Sequence, residues 1–135
     1  MNRRRKPLVL VVDDEADIRS SLRMILEYEG YAFEEAASGK EALERVAALS
    51  PDVVISDILM PRLDGFALCR AVREDAKLAD VPVILYSATY TDVKDRAFGL
   101  SLGADRYLEK PTDVEDLLHE LETAVEERRE GRASR

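Results

Sequence analysis

Short runs of apolar residues recur along the chain and alternate with longer segments in which apolar residues return every three or four positions. The short runs predict β-strands, and the spaced pattern predicts helices with one buried face. The predicted strands are 8–12, 31–36, 53–57, 83–87 and 106–109, and the predicted helices are 14–30, one opening at 38, 65–75, 91–102 and one opening at 112. Strands alternating with helices predict an α/β fold around a parallel sheet.

The composition of the five strands predicts their order in the sheet. The first, third and fourth strands are almost entirely apolar, which is typical of central strands covered on both faces. The second and fifth strands carry charged residues and therefore fit the edges. Right-handed crossovers then favour the order 2-1-3-4-5, a flavodoxin-like (βα)5 sandwich of three layers. In such sheets a ligand binds beyond the carboxyl ends of the strands, where the order reverses.

The chain divides into a central domain and two charged ends. Residues 6–125 are expected to form one domain, preceded by a basic N-terminal tail, residues 1–5. Thr112 is expected to cap the last helix. The apolar stripe predicted for that helix is Val114, Leu117, Leu118, Leu121 and Val125. Residues 126–135 are highly charged, and we expect them to fray or to serve as a linker.

Composition narrows the class of protein. The 135 residues carry a net charge of −8, so no nucleic-acid-binding surface is expected within this chain. No apolar run is long enough to span a membrane, and the apolar run after the basic tail is too short for a signal peptide. The single cysteine, Cys69, excludes an internal disulfide and fits a reducing compartment. We therefore expect a cytoplasmic protein.

Polar residues follow the predicted strands at the point where each strand ends. Asp13 and Asp14 follow the first strand, Asp57 ends the third, Ser87 the fourth, and Lys110 follows the fifth. The carboxyl ends of parallel strands meet at one edge of the sheet, so these side chains are expected to converge.

Convergence of these groups limits the chemistry that the edge can perform. Three carboxylates repel one another unless a positive charge joins them, and oxygen donors without His or Cys suit Mg²⁺ or Mn²⁺. A lysine and a hydroxyl opposite such an ion suit a phosphoryl group. Asp57 is then placed to attack phosphorus and form an acyl phosphate, because carboxylates are known nucleophiles in phosphoryl transfer.

Four motifs at these strand ends resemble the receiver domain of two-component response regulators, the CheY-like family. They occupy residues 11–15, 55–65, 87–88 and 107–111, and the resemblance covers roughly residues 6–125. One such motif is weak by itself, whereas four in the right order, each at a strand end, are highly specific.

The resemblance implies a role for each acid of the edge. Asp57 would be the phosphoacceptor, and Asp14 and Asp57 would bind Mg²⁺ or Mn²⁺ directly. Asp13 would act through a water molecule, and the backbone carbonyl of Leu59 would complete the protein ligands. Leu59 is apolar where many relatives are polar and lies near the path of the hydrolytic water, so we expect it to affect the lifetime of the phosphoryl group.

The resemblance also implies a switch. Ser87 and Lys110 would hold the phosphoryl oxygens, Tyr107 would be the switch aromatic residue, and the Lys110–Pro111 bond would be cis. Ser87 would move toward the phosphoryl group, and Tyr107 would then turn inward and repack the fourth helix. Gly99 weakens that helix by about 1 kcal/mol relative to Ala, which fits either mobility or a tight packing contact.

By the same resemblance the chain is a signalling switch that catalyses only its own phosphorylation and autodephosphorylation. A histidine kinase or phosphotransfer protein would supply the phosphoryl group. A downstream protein or output domain would bind the face formed by helix 4, strand 5 and helix 5, and a homodimer is left open. Whether the chain stands alone or is part of a longer protein does not follow from the sequence.

Two other functions remain open at this point. One is a pseudo-receiver, a binding scaffold that is never phosphorylated; the intact set of Asp14, Asp57, Ser87 and Lys110 argues against it. The other is a haloacid-dehalogenase-like phosphatase, which also uses an Asp nucleophile with Mg²⁺. Such enzymes carry a second acid two residues after the nucleophile, where this chain has Leu59.

Overall fold

The computed structural model describes residues 6–133, so the basic tail predicted for residues 1–5 lies outside the described residues. Strands and helices alternate along the chain, as the hydrophobic pattern predicts. The strands are β1 (Leu8–Val12), β2 (Ala32–Ala36), β3 (Val53–Ser56), β4 (Val83–Ser87) and β5 (Arg106–Glu109). The helices are α1 (Ala16–Tyr28), α2 (Gly39–Leu49), α3 (Gly65–Glu74), α4 (Val93–Ser101) and α5 (Val114–Ala133).

The five strands form one sheet in the order β2-β1-β3-β4-β5, with every neighbouring pair parallel. This confirms the predicted flavodoxin-like topology. The register places Val12 opposite Ser56 and places Ser87 opposite Glu109. The carboxyl ends of β1 and β3 are therefore level, as are those of β4 and β5, and the residues that follow them lie along one edge.

A hydrophobic core covers each face of the sheet, which gives the three layers. Val9, Val11 and Ile55 point to one face and pack with the apolar stripes of α1 and α5. Leu10 and Val54 point to the other face and pack with α2 and α3. Strands in the middle of the sheet are covered on both faces and must be apolar on both sides. The apolar strands β1, β3 and β4 therefore lie in the middle. No helix in the described part of the chain is both long and apolar enough to cross a membrane.

The start of α5 differs from its prediction. The helix begins at Val114, and its first backbone bond runs from the Leu117 N–H to the carbonyl of Asp113. The hydroxyl of Thr112 instead donates to the carbonyl of Glu109, so Thr112 closes the turn after β5 and does not cap the helix. Val114, expected in the buried stripe, is 44% exposed because it precedes the turns that reach the sheet.

The end of α5 also differs from its prediction. The helix continues to Ala133, so the expectation that the chain frays from residue 126 was wrong for the described residues. Two ion pairs explain the difference, since Glu127 pairs with Arg106 at 2.9 Å and Arg128 pairs with Asp105 at 2.9 Å. These contacts hold the last turns of the helix against the amino end of β5. The alternative expectation, that residues 126–135 serve as a linker, stays a prediction.

Candidate functional site

Three carboxylates meet at the carboxyl edge of the central strands. Asp13 and Asp14 follow β1, and Asp57 follows β3, which is the hydrogen-bonded neighbour of β1. The backbone N–H of Asp57 extends this ladder by donating to the carbonyl of Val12 at 2.9 Å. One carboxylate oxygen from each of the three aspartates lies within 4.8 Å of the other two. The parallel register thus brings together acids that are more than 40 residues apart in sequence.

Lys110 reaches the same edge from the end of β5. Its Nζ lies 3.1 Å from Asp13 Oδ2 and 3.6 Å from Asp57 Oδ1. Its backbone N–H donates to the carbonyl of Ser87 at 2.9 Å, and the Lys110–Pro111 bond is cis as expected. Among the described residues, this one ammonium lies beside three carboxylates, so negative charge exceeds positive charge in the cluster.

The pKa of the Asp57 carboxyl is raised, and burial is the largest cause. The nearby Lys110 ammonium lowers this pKa, and the Asp13 carboxylate raises it further. The Ile58 N–H donates to Asp57 Oδ1 at 2.8 Å and favours the charged form, yet the net pKa stays above the ordinary value. A bound cation would remove this penalty, since it favours the ionised carboxylates.

A pocket of about 510 Å³ opens directly onto these groups. Asp14, Asp57 and Lys110 contribute its polar wall, and Leu59 and Thr89 contribute to its rim. The side chain of Leu59 is 53% exposed there, so the lining of the pocket includes an exposed hydrocarbon group. The pocket is open to solvent on one side and has room for a phosphoryl group beside the carboxylates.

Ser87 lies at the end of β4, but it is not among the residues that line the pocket. It is fully buried, and its Oγ accepts hydrogen bonds from the Thr89 N–H at 3.1 Å and the Tyr90 N–H at 3.0 Å. The hydroxyl therefore stabilises the loop between β4 and α4. The structure brings Asp13, Asp14, Asp57 and Lys110 together, whereas the hydroxyl of Ser87 is engaged by the loop between β4 and α4.

Tyr107 lies inward, under α4. It is 2% exposed, and its hydroxyl donates to the carbonyl of Tyr90 at 2.5 Å. Burial, with the negative charge of Asp95, raises the pKa of Tyr107 to about 12. A Cβ built on Gly99 would come within 2.9 Å of the Tyr107 ring, so the glycine serves a tight packing contact. The ring thus occupies the inward position that the predicted switch involves.

Two contacts near this tyrosine were not predicted from the sequence. Arg96 of α4 donates to the carbonyl of Tyr107 at 2.8 Å. The Tyr90 ring packs edge-on against Phe66, with ring centroids 5.7 Å apart. No local pattern pairs these residues, because each contact joins different elements; their only sequence signal is the presence of an arginine and an aromatic residue near the fourth helix.

A doubly wound parallel sheet with an acidic cluster and a lysine at the carboxyl edge of its central strands defines the receiver class of signalling domains. The sequence agrees, since residues 9–122 match the family described as response regulator receiver domain. The chain belongs to that family, and the resemblance drawn from its motifs is confirmed. It is a receiver domain of two-component response-regulator signalling.

Relatives and solved structures support the same assignment. The chain is 44% identical over 110 residues to response regulator MprA of Mycolicibacterium vanbaalenii, which covers 82% of this chain and 46% of the relative. It thus spans about half the length of the curated relatives it matches. Chemotaxis protein CheY4 of Vibrio cholerae superimposes with a TM-score of 0.83 at 34% identity, covering 89% of this chain and 99% of CheY4. A CheY-like receiver domain protein of Methanospirillum hungatei gives 0.87 at 28% identity, covering 94% and 99%.

Proposed function

We propose that this receiver domain accepts a phosphoryl group on Asp57 in a Mg²⁺-dependent reaction, from a histidine kinase or phosphotransfer protein, and thereby changes its binding of a partner. The observation that carries the proposal is the meeting of three carboxylates and one ammonium at an open pocket that contains Asp57. A structural ion-pair cluster would balance its charges and exclude solvent, and this cluster does neither.

The chain's own residues suit each part of the transfer. A carboxylate oxygen of Asp57 forms a bond to phosphorus while the bond from phosphorus to the donor's leaving atom breaks, which gives an acyl phosphate. Lys110 lies close enough to Asp57 to donate to the oxygens of the incoming group and to offset their charge. Phosphorylation adds about −1.5 to −2 charge, so this ammonium gains a stronger partner than either aspartate.

The acidic cluster fits a hard divalent cation. Its donors are all oxygen atoms within 4.8 Å of one another, the ligand type that Mg²⁺ and Mn²⁺ prefer. Asp14 and Asp57 would hold the ion directly, Asp13 through a water, and the Leu59 carbonyl would complete the set. Bound there, the ion would neutralise charge as it builds on the transferring group. Asp14 is exposed at the pocket wall and so is accessible to an entering ion.

The loop between β4 and α4 connects the site to a switch. The Ser87 hydroxyl accepts from the N–H groups of Thr89 and Tyr90, so its movement toward a phosphoryl oxygen would shift this loop. The carbonyl of Tyr90 holds the hydroxyl of Tyr107, so movement of this loop also changes the position of that ring. The surface formed by α4, β5 and α5 is therefore the proposed contact for a downstream protein or output domain.

Intact-protein mass spectrometry tests the proposal. Incubation with Mg²⁺ and acetyl phosphate should add one phosphoryl group that is labile and absent from Asp57→Asn. Absence of an adduct in the wild-type chain would support a scaffold function instead. Fast release of phosphate from unrelated phosphoesters would support a phosphatase, for which the hydrocarbon side chain of Leu59 supplies no general acid.

Leu59 gives the proposal a kinetic test. The exposed side chain stands at the rim of the pocket, so it should slow the approach of water to phosphorylated Asp57. We expect Leu59→Asn to change the rate of dephosphorylation measured after removal of the donor, while the amount of adduct at saturation is retained. An unchanged rate would count against a role for Leu59 in setting the lifetime.

A further inference from the structure

Tyr86 lies next to the site, although the chemistry derived above does not use it. It precedes Ser87 in β4, and its side chain points to the face of the sheet covered by α1 and α5, opposite to Leu85. The centroid of its ring is 5.0 Å from Nζ of Lys110. This distance lies inside the range of about 6 Å in which an ammonium is attracted to an aromatic face.

The ammonium of Lys110 thus has two kinds of partner. The carboxylates of Asp13 and Asp57 lie 3.1 and 3.6 Å from Nζ, and the centroid of the Tyr86 ring lies 5.0 Å from it. The lysine side chain is 14% exposed, so little water competes with these partners. A cation–π contact strengthens as the cation loses water, and the ring of Tyr86 therefore helps to determine where the Lys110 ammonium lies.

The position of the Lys110 ammonium is important because the residue borders two pockets. Lys110 lines the 510 Å³ pocket of Asp57 and also a neighbouring pocket of about 370 Å³ against α1. Tyr86 lines only the second of these, and Asp17 of α1 lines it too. A flexible lysine bordering two cavities, each with a carboxylate in its wall, needs something to fix its direction. The ring fills part of the second cavity and leaves the ammonium facing the first.

We infer that Tyr86 is a positioning residue for Lys110: its ring directs the ammonium to Asp57 and keeps it out of the pocket that contains Asp17. The consequence for phosphorylation rests on the proposed function of Asp57, whereas the consequence for the position of the lysine does not. The hydroxyl of Tyr86 is not needed for the contact, so phenylalanine should replace tyrosine and leucine should not.

Phosphorylation by acetyl phosphate measures the consequence for the reaction. We expect Tyr86→Leu to lower the rate constant at saturating donor roughly three- to ten-fold, from the strength of such contacts. Tyr86→Phe should keep the wild-type rate. Adding Asp17→Asn to Tyr86→Leu should restore part of the loss, because it removes the competing carboxylate. Phe33→Leu is the matched control, since it deletes the ring under Arg23, 5.4 Å away, on the β2 edge.

Mg²⁺ affinity separates positioning from general damage. The ammonium and a divalent cation compete for Asp13 and Asp57, so Tyr86→Leu should bind Mg²⁺ at least as tightly as the wild type. A variant that phosphorylates slowly and also binds Mg²⁺ more weakly has a damaged site, which would overturn the inference. A wild-type rate in Tyr86→Leu, or an equal loss in Tyr86→Phe, would also overturn it.

NMR of Lys110 decides the inference even if the wild-type chain forms no adduct and the proposed function fails. The ring should shift the ε-methylene signals of Lys110 upfield, in the wild type and in Tyr86→Phe alike. The shift should disappear in Tyr86→Leu. Identical Lys110 signals in all three proteins would show that the ring does not hold the ammonium.

Discussion

The two ends of the sheet use the same kinds of charged side chain to opposite effect. At the amino end, Asp105 accepts hydrogen bonds from Arg73 at 2.7 Å, from the Val83 N–H at 2.8 Å and from Arg128 at 3.0 Å. At the carboxyl end, three carboxylates lie together beside an open pocket, and the ammonium of Lys110 pairs with two of them, Asp13 and Asp57. The carboxylate and guanidinium groups at the amino end pair with one another. The carboxylates at the carboxyl end outnumber the ammonium that pairs with them.

The surroundings of Arg73 show how complete the amino-end network is. Its guanidinium also donates to the carbonyls of Gly103 at 2.9 Å, Ala79 at 3.2 Å and Val81 at 2.6 Å. Burial lowers the pKa of Arg73, and Asp105 opposes that effect. A network with so many partners fixes α3, β4, β5 and α5 to one another, because the hydrogen bonds of Arg73 and Asp105 are made within the fold. The comparison teaches that unbalanced charge at a pocket indicates function better than buried charge does.

Removing Asp105 should produce the largest change in stability. Asp105→Ala leaves the largely buried guanidinium of Arg73, whose side chain is 15% exposed, without its carboxylate, and we expect a loss of about 3–5 kcal/mol in the free energy of unfolding. Urea denaturation measures it. Glu74→Ala is the control, because its pair with Arg70 is exposed and should contribute less than about 1 kcal/mol. A loss that small for Asp105→Ala would mean that the two ends of the sheet do not differ as proposed.

Neutralising Asp14 should leave the metal-free chain at least as stable and should reduce the stabilisation that Mg²⁺ gives. Without Mg²⁺, Asp14→Asn should be at least as stable as the wild type, since a repelling charge is removed. With Mg²⁺ at ten times its dissociation constant, the wild type should gain about 1.4 kcal/mol and the variant much less. Thermal unfolding with and without Mg²⁺ tests this, with Glu44→Gln, an exposed acid on α2, as control. Equal gains in wild type and Asp14→Asn would exclude Asp14 as a ligand.

Tyr107 lies between the two ends, and its loss should have a smaller effect. Tyr107→Phe removes the hydrogen bond to Tyr90 and should cost about 1 kcal/mol at neutral pH. The pKa of Tyr107 rises from 10.0 to about 12 on folding, so its contribution is complete below pH 10 and is lost as pH rises toward 12. Tyr107→Phe has no ionisable hydroxyl at this position, so it should not show this loss of stability at high pH. Urea unfolding at pH 7 and pH 11 measures both effects, with Tyr28→Phe, an exposed tyrosine, as control.

Asp57→Asn should change stability least, although it abolishes the proposed phosphorylation. The raised pKa shows that the charged form is disfavoured in the folded chain, so the variant should gain less than about 1 kcal/mol at pH 7. In the wild type, the contribution of Asp57 is present below pH 3.8 and is lost as pH rises through the raised pKa. The advantage of the variant should therefore shrink as the pH falls. A variant less stable than the wild type at pH 7 would contradict this account.

Much of the fold was accessible to sequence reasoning. The apolar character of β1, β3 and β4 predicted a central position, and the charges of β2 and β5 predicted the edges; the sheet order confirms both. Helix ends were also readable, since Gly30 and Gly103 follow α1 and α4 with φ values of 97° and 107°. These predictions succeed because burial and backbone conformation restrict which residues a position accepts.

The length of α5 was not accessible in the same way. Its last turns look like a solvated tail because they are rich in charge, and charge pattern gives no partner. The partners, Arg106 for Glu127 and Asp105 for Arg128, lie 21 and 23 residues away along the chain. Only the packing of α5 beside β5 brings those pairs together.

The sequence by itself determined that Asp13, Asp14, Asp57, Ser87 and Lys110 come to one edge, because a strand's last residue is set by local pattern and parallel strands share an edge. The tertiary structure decided what these groups do there. It turned the hydroxyl of Ser87 into the loop before α4, placed Tyr107 inward, and set the ammonium of Lys110 nearer to Asp13 than to Asp57. Such choices depend on contacts between atoms from separate elements, such as the 3.1 and 3.6 Å distances of Lys110, and no local pattern encodes those contacts.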